Sequence, residues 1–228
     1  MTFEDLIKLY EKYKQKYGEK AYKHISELFE EAKGIYEKDW QKTPTPGEDF
    51  GQSWKPFKGH NLEKLILYII QDEVEALGLK VESGSKFEKT KSENLTEELS
   101  RVKRNVSVDF GEFGLHVPDI DLVIYDPKDY KIIAILSSKV TLRERIAQTG
   151  YWKIKLSKDP VTKDIKVFFI TPDEDGTLTR KEPIQKGRAI AEIDTDGSYV
   201  MSETEIEESE KVKMFDKFIE DLRNLIKK

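Results

Sequence analysis

The 228-residue chain has no cysteine, which excludes disulfides, cysteine zinc clusters and a thiol nucleophile. Histidine is scarce, and His24, His60 and His116 lie too far apart in sequence to read as a ligand set. A metal site must therefore be mostly carboxylate, which favours Mg²⁺ over Zn²⁺. No run of about 18 apolar residues is present, as a membrane helix requires. The first residues, Met1 to Asp5, also lack the basic-then-apolar order of a secretion signal. These absences point to a soluble, cytoplasmic protein. An excess of basic charge is missing too, since 39 Lys and Arg face 44 Asp and Glu. The average gives no sign of a nucleic-acid partner, although a local basic face would escape that test. Abundant Lys and Glu without Cys is a composition associated with heat-adapted proteins.

What is present begins with helix. From Thr2 to about Lys38 apolar residues recur at steps of three and four, and Gly18 divides the stretch into two helices. Two Pro and two Gly between Lys42 and Ser53 exclude a regular element there and suggest a linker. A strong helix is expected from Asn61, with Gly59 to Asn61 as its N-cap turn, Leu62, Leu65, Ile66, Ile69, Ile70 and Val74 on one face, and Gly78 as its stop. Residues 83 to 103 read as a mobile surface loop with one more helical piece. Strands follow at Val106 to Phe110, Ile120 to Tyr125 and Tyr130 to Leu136, the last two joined by the Asp126 to Asp129 turn as an antiparallel hairpin. Thr141-Leu-Arg-Glu144 has capping-box form and opens a helix to about Leu156. Strands are expected at Lys166 to Thr171, Arg188 to Glu192 and Ser198 to Met201, before a final helix capped by Ser202 and carrying Ile206 to Leu225. The division that follows is a helical N-terminal subdomain and linker over 1–50, a core over 51–201 and a C-terminal helix over 202–228.

Chemistry concentrates around the hairpin. Asp119 and Asp121 share a face where the chain enters a strand, and Ser137 and Lys139 share a face where the next strand ends. Counted from the turn, Asp121 and Ser137 are close enough to meet on a twisted pair. A carboxylate beside an ammonium suits metal-assisted phosphoryl transfer, in which the ion activates water and the Lys offsets charge at phosphorus. Arg143-Glu144-Arg145 follows, a set of planar donors with one acceptor that can read guanine and cytosine edges. Each of these residues also has an ordinary use: Asp and Lys at solvated strand ends, Glu144 in the cap, the Arg pair on a helix surface.

Taken together, Pro118-Asp119-Ile-Asp121 with Ser137-Ser-Lys139-Val-Thr-Leu-Arg143-Glu144-Arg145-Ile-Ala-Gln148 resembles the active-site region of PD-(D/E)XK type II restriction endonucleases. Within them it is most similar to the BsaWI-like branch that recognises CCGG-containing or CCNGG-type sites. The resemblance spans about residues 59 to 157. It implies an α/β (α+β) fold with an αβββαβ core and a mixed central sheet. It also implies Mg²⁺-dependent cutting of double-stranded DNA to leave 5′-phosphate ends, by a homodimer reading a palindrome. By the same resemblance Asp119 or Asp121 matches the metal-binding Asp, with Asp121 preferred because an apolar strand follows it directly. Lys139 matches the active-site Lys, and Arg143, Glu144, Arg145 and Gln148 the DNA-reading segment. Ser137 stands where the superfamily has an acid, and the position about 13 residues after the Lys, where the branch relocates that acid, is Trp152. Glu63, on the helix before the first core strand, is the further acidic candidate for catalysis and metal binding. These departures leave open a DNA-binding protein on a nuclease fold that no longer cuts, or a structure-selective repair or resolving nuclease.

Overall fold

A computed structural model describes residues 1–43, 47, 49–142 and 145–227, with the side chain of Arg145 outside that set. Helix α1 (Phe3–Tyr17) opens with a reciprocal cap: the Thr2 hydroxyl accepts the Asp5 amide and the Asp5 carboxylate accepts the Thr2 amide. Gly18, at φ 57°, stops it, and a 3₁₀ segment leads into α2 (Ile25–Lys42). Leu6, Leu9, Ile25, Leu28 and Phe29 are buried on the faces that the periodicity marks out.

Helix α3 runs from Phe50 to Ala76, eleven residues earlier than the expected start at Asn61. Its N-cap is Asp49, which accepts the Gln52 amide at 2.9 Å. Pro56 lies inside the helix and forfeits one backbone hydrogen bond. Aromatic packing outweighs that loss: Phe50, Trp54 and Phe57 recur at helical spacing and gather around Tyr36, the Tyr36 and Phe57 rings 4.4 Å apart. Asn61, far from capping a helix, is buried and donates back to the Phe57 carbonyl at 2.8 Å.

Strand β1 (Lys80–Ser83) then leaves α3; where the sequence suggests loop from residue 83, two helices follow, α4 (Gly84–Lys89) and α5 (Glu97–Val106). The expected strand over Val106 to Phe110 shrinks to β2 (Val108–Asp109), which pairs with β3 (Leu115–His116) in a separate ribbon. The hairpin forms as expected from β4 (Leu122–Tyr125) and β5 (Ile132–Ser138). Next comes α6 (Arg145–Ser157). Thr141 and Leu142 are not helical, so Thr141 is no helix cap, and Arg143 and Glu144 lie outside the described residues. Strand β6 (Lys166–Thr171) matches its expected bounds.

Residues 186–194 form helix α7 (Lys186–Asp194), not a strand, and β7 (Gly197–Val200) follows. Ala189 and Ala191 alternate with larger residues, which fits either period, and the decision comes from Arg188. That side chain is fully buried, with its guanidinium on the Leu178 and Glu207 carbonyls and on Glu192 one helical turn away. The C-terminal helix is shorter than expected: Val212 belongs to β8 (Val212–Met214), and α8 spans Phe218–Ile226.

The main sheet has the order β1-β4-β5-β6-β7-β8, antiparallel across its first three strands and parallel across the rest. Both faces are covered. Leu122 and Ile124 on β4 join the core under α1, α2, α3 and α8, while Val123 and Tyr125 face α5. Among the described residues no helix is long and apolar enough to cross a membrane.

Candidate active site

The site sits where β4 begins and β5 ends. Leu122 pairs with Leu136, so Asp121 falls one step beyond, with its amide donating to the Leu136 carbonyl at 3.0 Å. On its other side the Asp121 carbonyl accepts the Gly84 amide at 2.8 Å. Held between β5 and the start of α4, the Asp121 carboxylate is 8% exposed and has three donors. Its Oδ2 accepts the Ser138 amide at 2.5 Å, the Ser138 hydroxyl at 3.3 Å and Lys139 Nζ at 2.9 Å, and Oδ1 lies 3.2 Å from the same ammonium.

The two aspartates sit in different surroundings. Asp119 is exposed and accepts Gln148 Nε2 at 2.5 Å, whereas Lys139 pairs with Asp121. Ser137 is buried on β5 and does not line the adjoining cleft; Ser138, which the sequence reading passed over, does. Trp152 packs partly buried against the core beneath α5.

That cleft, about 810 Å³, is lined by Ser138 and Lys139 on one side and by Lys55, Lys58 and Glu63 of α3 on another. Burial pushes the Glu63 carboxyl up to about 8, and the charge and hydrogen bond of Asp121 push the same way against the pull of Lys139. Two carboxyl groups crowded together beside an ammonium form a hard oxygen donor set suited to a divalent cation such as Mg²⁺, with Asp119 near enough to add to the field at Glu63. Elsewhere His24, Glu27 and Glu203 converge, but none of them lines this cleft. Two side chains that sequence reasoning did not bring together also meet here: Lys58 Nζ binds both Glu174 oxygens, at 2.7 and 2.9 Å, from positions 116 residues apart.

Residues 98–221 match the sequence model of the family described as BsaWI restriction endonuclease type 2. The chain belongs to this BsaWI-type restriction endonuclease family. A Methanocaldococcus jannaschii protein named as the type II restriction enzyme MjaVIP is 41% identical over 182 residues, covering 78% of each chain. A Helicobacter pylori protein named as a type II restriction enzyme is 40% identical over 124 residues, or 54% of this chain and 62% of that one. Among solved structures, the restriction endonuclease AgeI in a DNA complex aligns with TM-score 0.58 and 14% identity, over 98% of this chain and 91% of its own. The likeness shows the shared fold, and the order α3, β1, β4, β5, α6, β6 is the expected αβββαβ core. The BsaWI-type family consists of site-specific endonucleases, so membership favours cutting at defined sites over the binding-only and structure-selective alternatives.

Proposed function

We propose that this enzyme cuts both strands of duplex DNA at a short palindrome containing CCGG, using Mg²⁺ and acting as a two-fold homodimer in the cytoplasm. The observation that carries this reading is the Asp121–Lys139 contact at the paired ends of β4 and β5, with the raised Glu63 carboxyl beside it. Asp121 and Glu63, with Asp119 as a further donor, would hold the Mg²⁺, which when bound lowers the pKa of a coordinated water and offsets charge at phosphorus. Lys139 keeps its ammonium against Asp121, where it orients the attacking water and stabilises charge on the phosphorane oxygens. Ser138 locks the carboxylate rotamer through its amide and hydroxyl. Ser137 lies buried beside it, two residues before Lys139. Arg143, Glu144, Arg145 and Gln148, contiguous in sequence with the start of α6, would read base edges of one half-site. A second copy would read the other half-site, as the symmetry of a palindrome requires.

The test is incubation with a long duplex of known sequence, with Mg²⁺ and with EDTA, followed by sequencing of the fragment ends. Discrete Mg²⁺-dependent cuts at one CCGG-containing palindrome are expected. Cuts at a site without CCGG would overturn the specificity, and equal cutting in EDTA would overturn the metal role.

A further inference from the structure

The Lys58–Glu174 pair stands in the wall of the active cleft, and nothing in the reading above uses it. Lys58 is 8% exposed, and its ammonium sits 5.7 Å from the centre of the Phe29 ring. An ammonium taken this far out of water is costly unless compensated, and Glu174 compensates it with both carboxylate oxygens. Such a pair is a weak source of net stability, because desolvation offsets most of its attraction. Its placement suggests a different use.

Lys58 precedes Glu63 on α3 by five residues, about 7.5 Å along the helix axis, and both side chains line the same cleft. Glu174 follows β6, and its amide donates to the Val140 carbonyl at 3.2 Å, one residue past Lys139. The Lys139 amide in turn donates to the Ile170 carbonyl of β6 at 3.3 Å. A continuous strap therefore runs from Glu63 along α3 to Lys58, across to Glu174, and through Val140 back to Lys139. The gap it crosses also holds the crowded Glu63 and Asp121 carboxyl groups. The Lys58–Glu174 contact spans that gap and ties the helix to the sheet.

We propose that Lys58 and Glu174 are positioning residues that set the separation between Glu63 on α3 and the Asp121–Lys139 edge of the sheet, and through it the divalent-cation affinity of the cleft. This rests on the reading that Glu63 and Asp121 hold the cation. Partners that orient metal ligands typically carry about 10- to 100-fold in metal affinity, so a loss of that order is expected here.

The experiment is calorimetric titration of the DNA-free protein with Mn²⁺ alone. Lys58→Met and Glu174→Gln should each weaken binding by about tenfold or more, Lys58→Arg should stay close to wild type, and the reversed pair Lys58→Glu with Glu174→Lys should recover much of the loss. Glu174→Asp, which keeps the charge and shortens the arm, should weaken binding even if Lys58→Met does not fold. In cleavage, the Mg²⁺ concentration for half-maximal rate should rise in the same proportion, with the rate at saturating Mg²⁺ and the metal-free affinity for duplex unchanged. Unchanged Mn²⁺ affinity in Glu174→Gln and Glu174→Asp overturns the strap alone. A fall in metal-free duplex affinity with intact Mn²⁺ binding also overturns it, and makes Lys58 a phosphate contact. Wild-type protein that binds no Mn²⁺, or binding indifferent to Glu63→Gln, overturns the metal reading and the strap with it.

Discussion

Lys139 Nζ lies 2.9 Å from Asp121 Oδ2, and the same oxygen accepts the Ser138 amide at 2.5 Å. One carboxylate thus ties the start of β4 to the end of β5 and holds the ammonium at the mouth of the cleft. The Lys139 side chain is only 22% exposed, so its position is set by protein contacts more than by solvent.

Lys139→Ala removes that ammonium while leaving the Ser138 donors on Asp121. Loss of one preorganised electrostatic group costs about 10²- to 10³-fold in rate, and at least that loss is expected in single-turnover cleavage. Duplex binding, measured by gel shift, should be largely retained, because the segment proposed to read bases is Arg143 to Gln148 and not Lys139. A variant that still cuts at the wild-type rate would remove Lys139 from the chemistry.

The crowding at Glu63 makes stability depend on pH. In the metal-free folded protein its carboxyl keeps a proton up to about 8, whereas the unfolded chain releases it near 4.5. Between these values the unfolded state binds fewer protons, so this contribution is fully present below 4.5 and is lost as pH rises towards 8. Glu63→Gln cannot ionise. The Tm of the variant relative to wild type should therefore climb as pH is raised from 4.5 to 8. Asp173, pushed up to about 7 chiefly by burial, acts in the same direction but is common to both proteins and cancels in the difference. A flat difference across the window would show that the Glu63 carboxyl is not crowded.

The legible part of this site was the hairpin. Two apolar runs flank Asp126-Pro-Lys-Asp129, and counting outward from that turn brings Asp121 near the end of β5 with no knowledge of the rest of the fold. Asp119 and Asp121 could not be separated by counting, since alternation puts them on one face; the contact of Asp119 with Gln148 is tertiary. The pairing of Lys58 with Glu174 was illegible for the same reason, since the two become partners only after 116 residues of chain have folded. The first turns of α3 misled because Gly and Pro argue locally against a helix, while the stacking of Phe50, Trp54, Phe57 and Tyr36 that overrides them involves another helix. Strand β1 is short and edge-placed, with two charged residues in four, and gives no periodicity to detect.

Arg143, outside the described residues, opens the Arg143-Glu144-Arg145 motif proposed to read bases. If it reads a guanine with two hydrogen bonds, Arg143→Ala forfeits roughly 1–3 kcal/mol of discrimination. The ratio of cleavage at the cognate site to cleavage at sites altered by one base should fall accordingly, with maximal cutting of nonspecific duplex little changed. An unchanged ratio would deny it a reading role.

Gly84 tests whether the backbone of Asp121 matters as much as its carboxylate. A Cβ on Gly84 would stand 2.0 Å from the Ile120 carbonyl oxygen and 2.8 Å from its carbon, and neither atom belongs to a flexible side chain. The Ile120–Asp121 segment cannot simply retreat, because the Asp121 amide is bonded to Leu136 behind it. Gly84→Ala must therefore push α4 outward, breaking the Gly84 amide bond to the Asp121 carbonyl, or displace Asp121 relative to Lys139. Overpacking of this kind costs roughly 1–3 kcal/mol of stability, and a displacement near 1 Å at a reacting centre costs about 10²-fold in rate. Gly34→Ala is the control: it lies in α2 with nothing within 4 Å of an added Cβ, so it should stabilise by roughly 0.5–1 kcal/mol and leave cleavage unchanged. Measured well below the Tm of both variants, a rate loss confined to Gly84→Ala separates misplacement of Asp121 from general destabilisation. Cutting at the wild-type rate by a folded Gly84→Ala would mean that the anchoring of Asp121 between α4 and β5 does not set the rate.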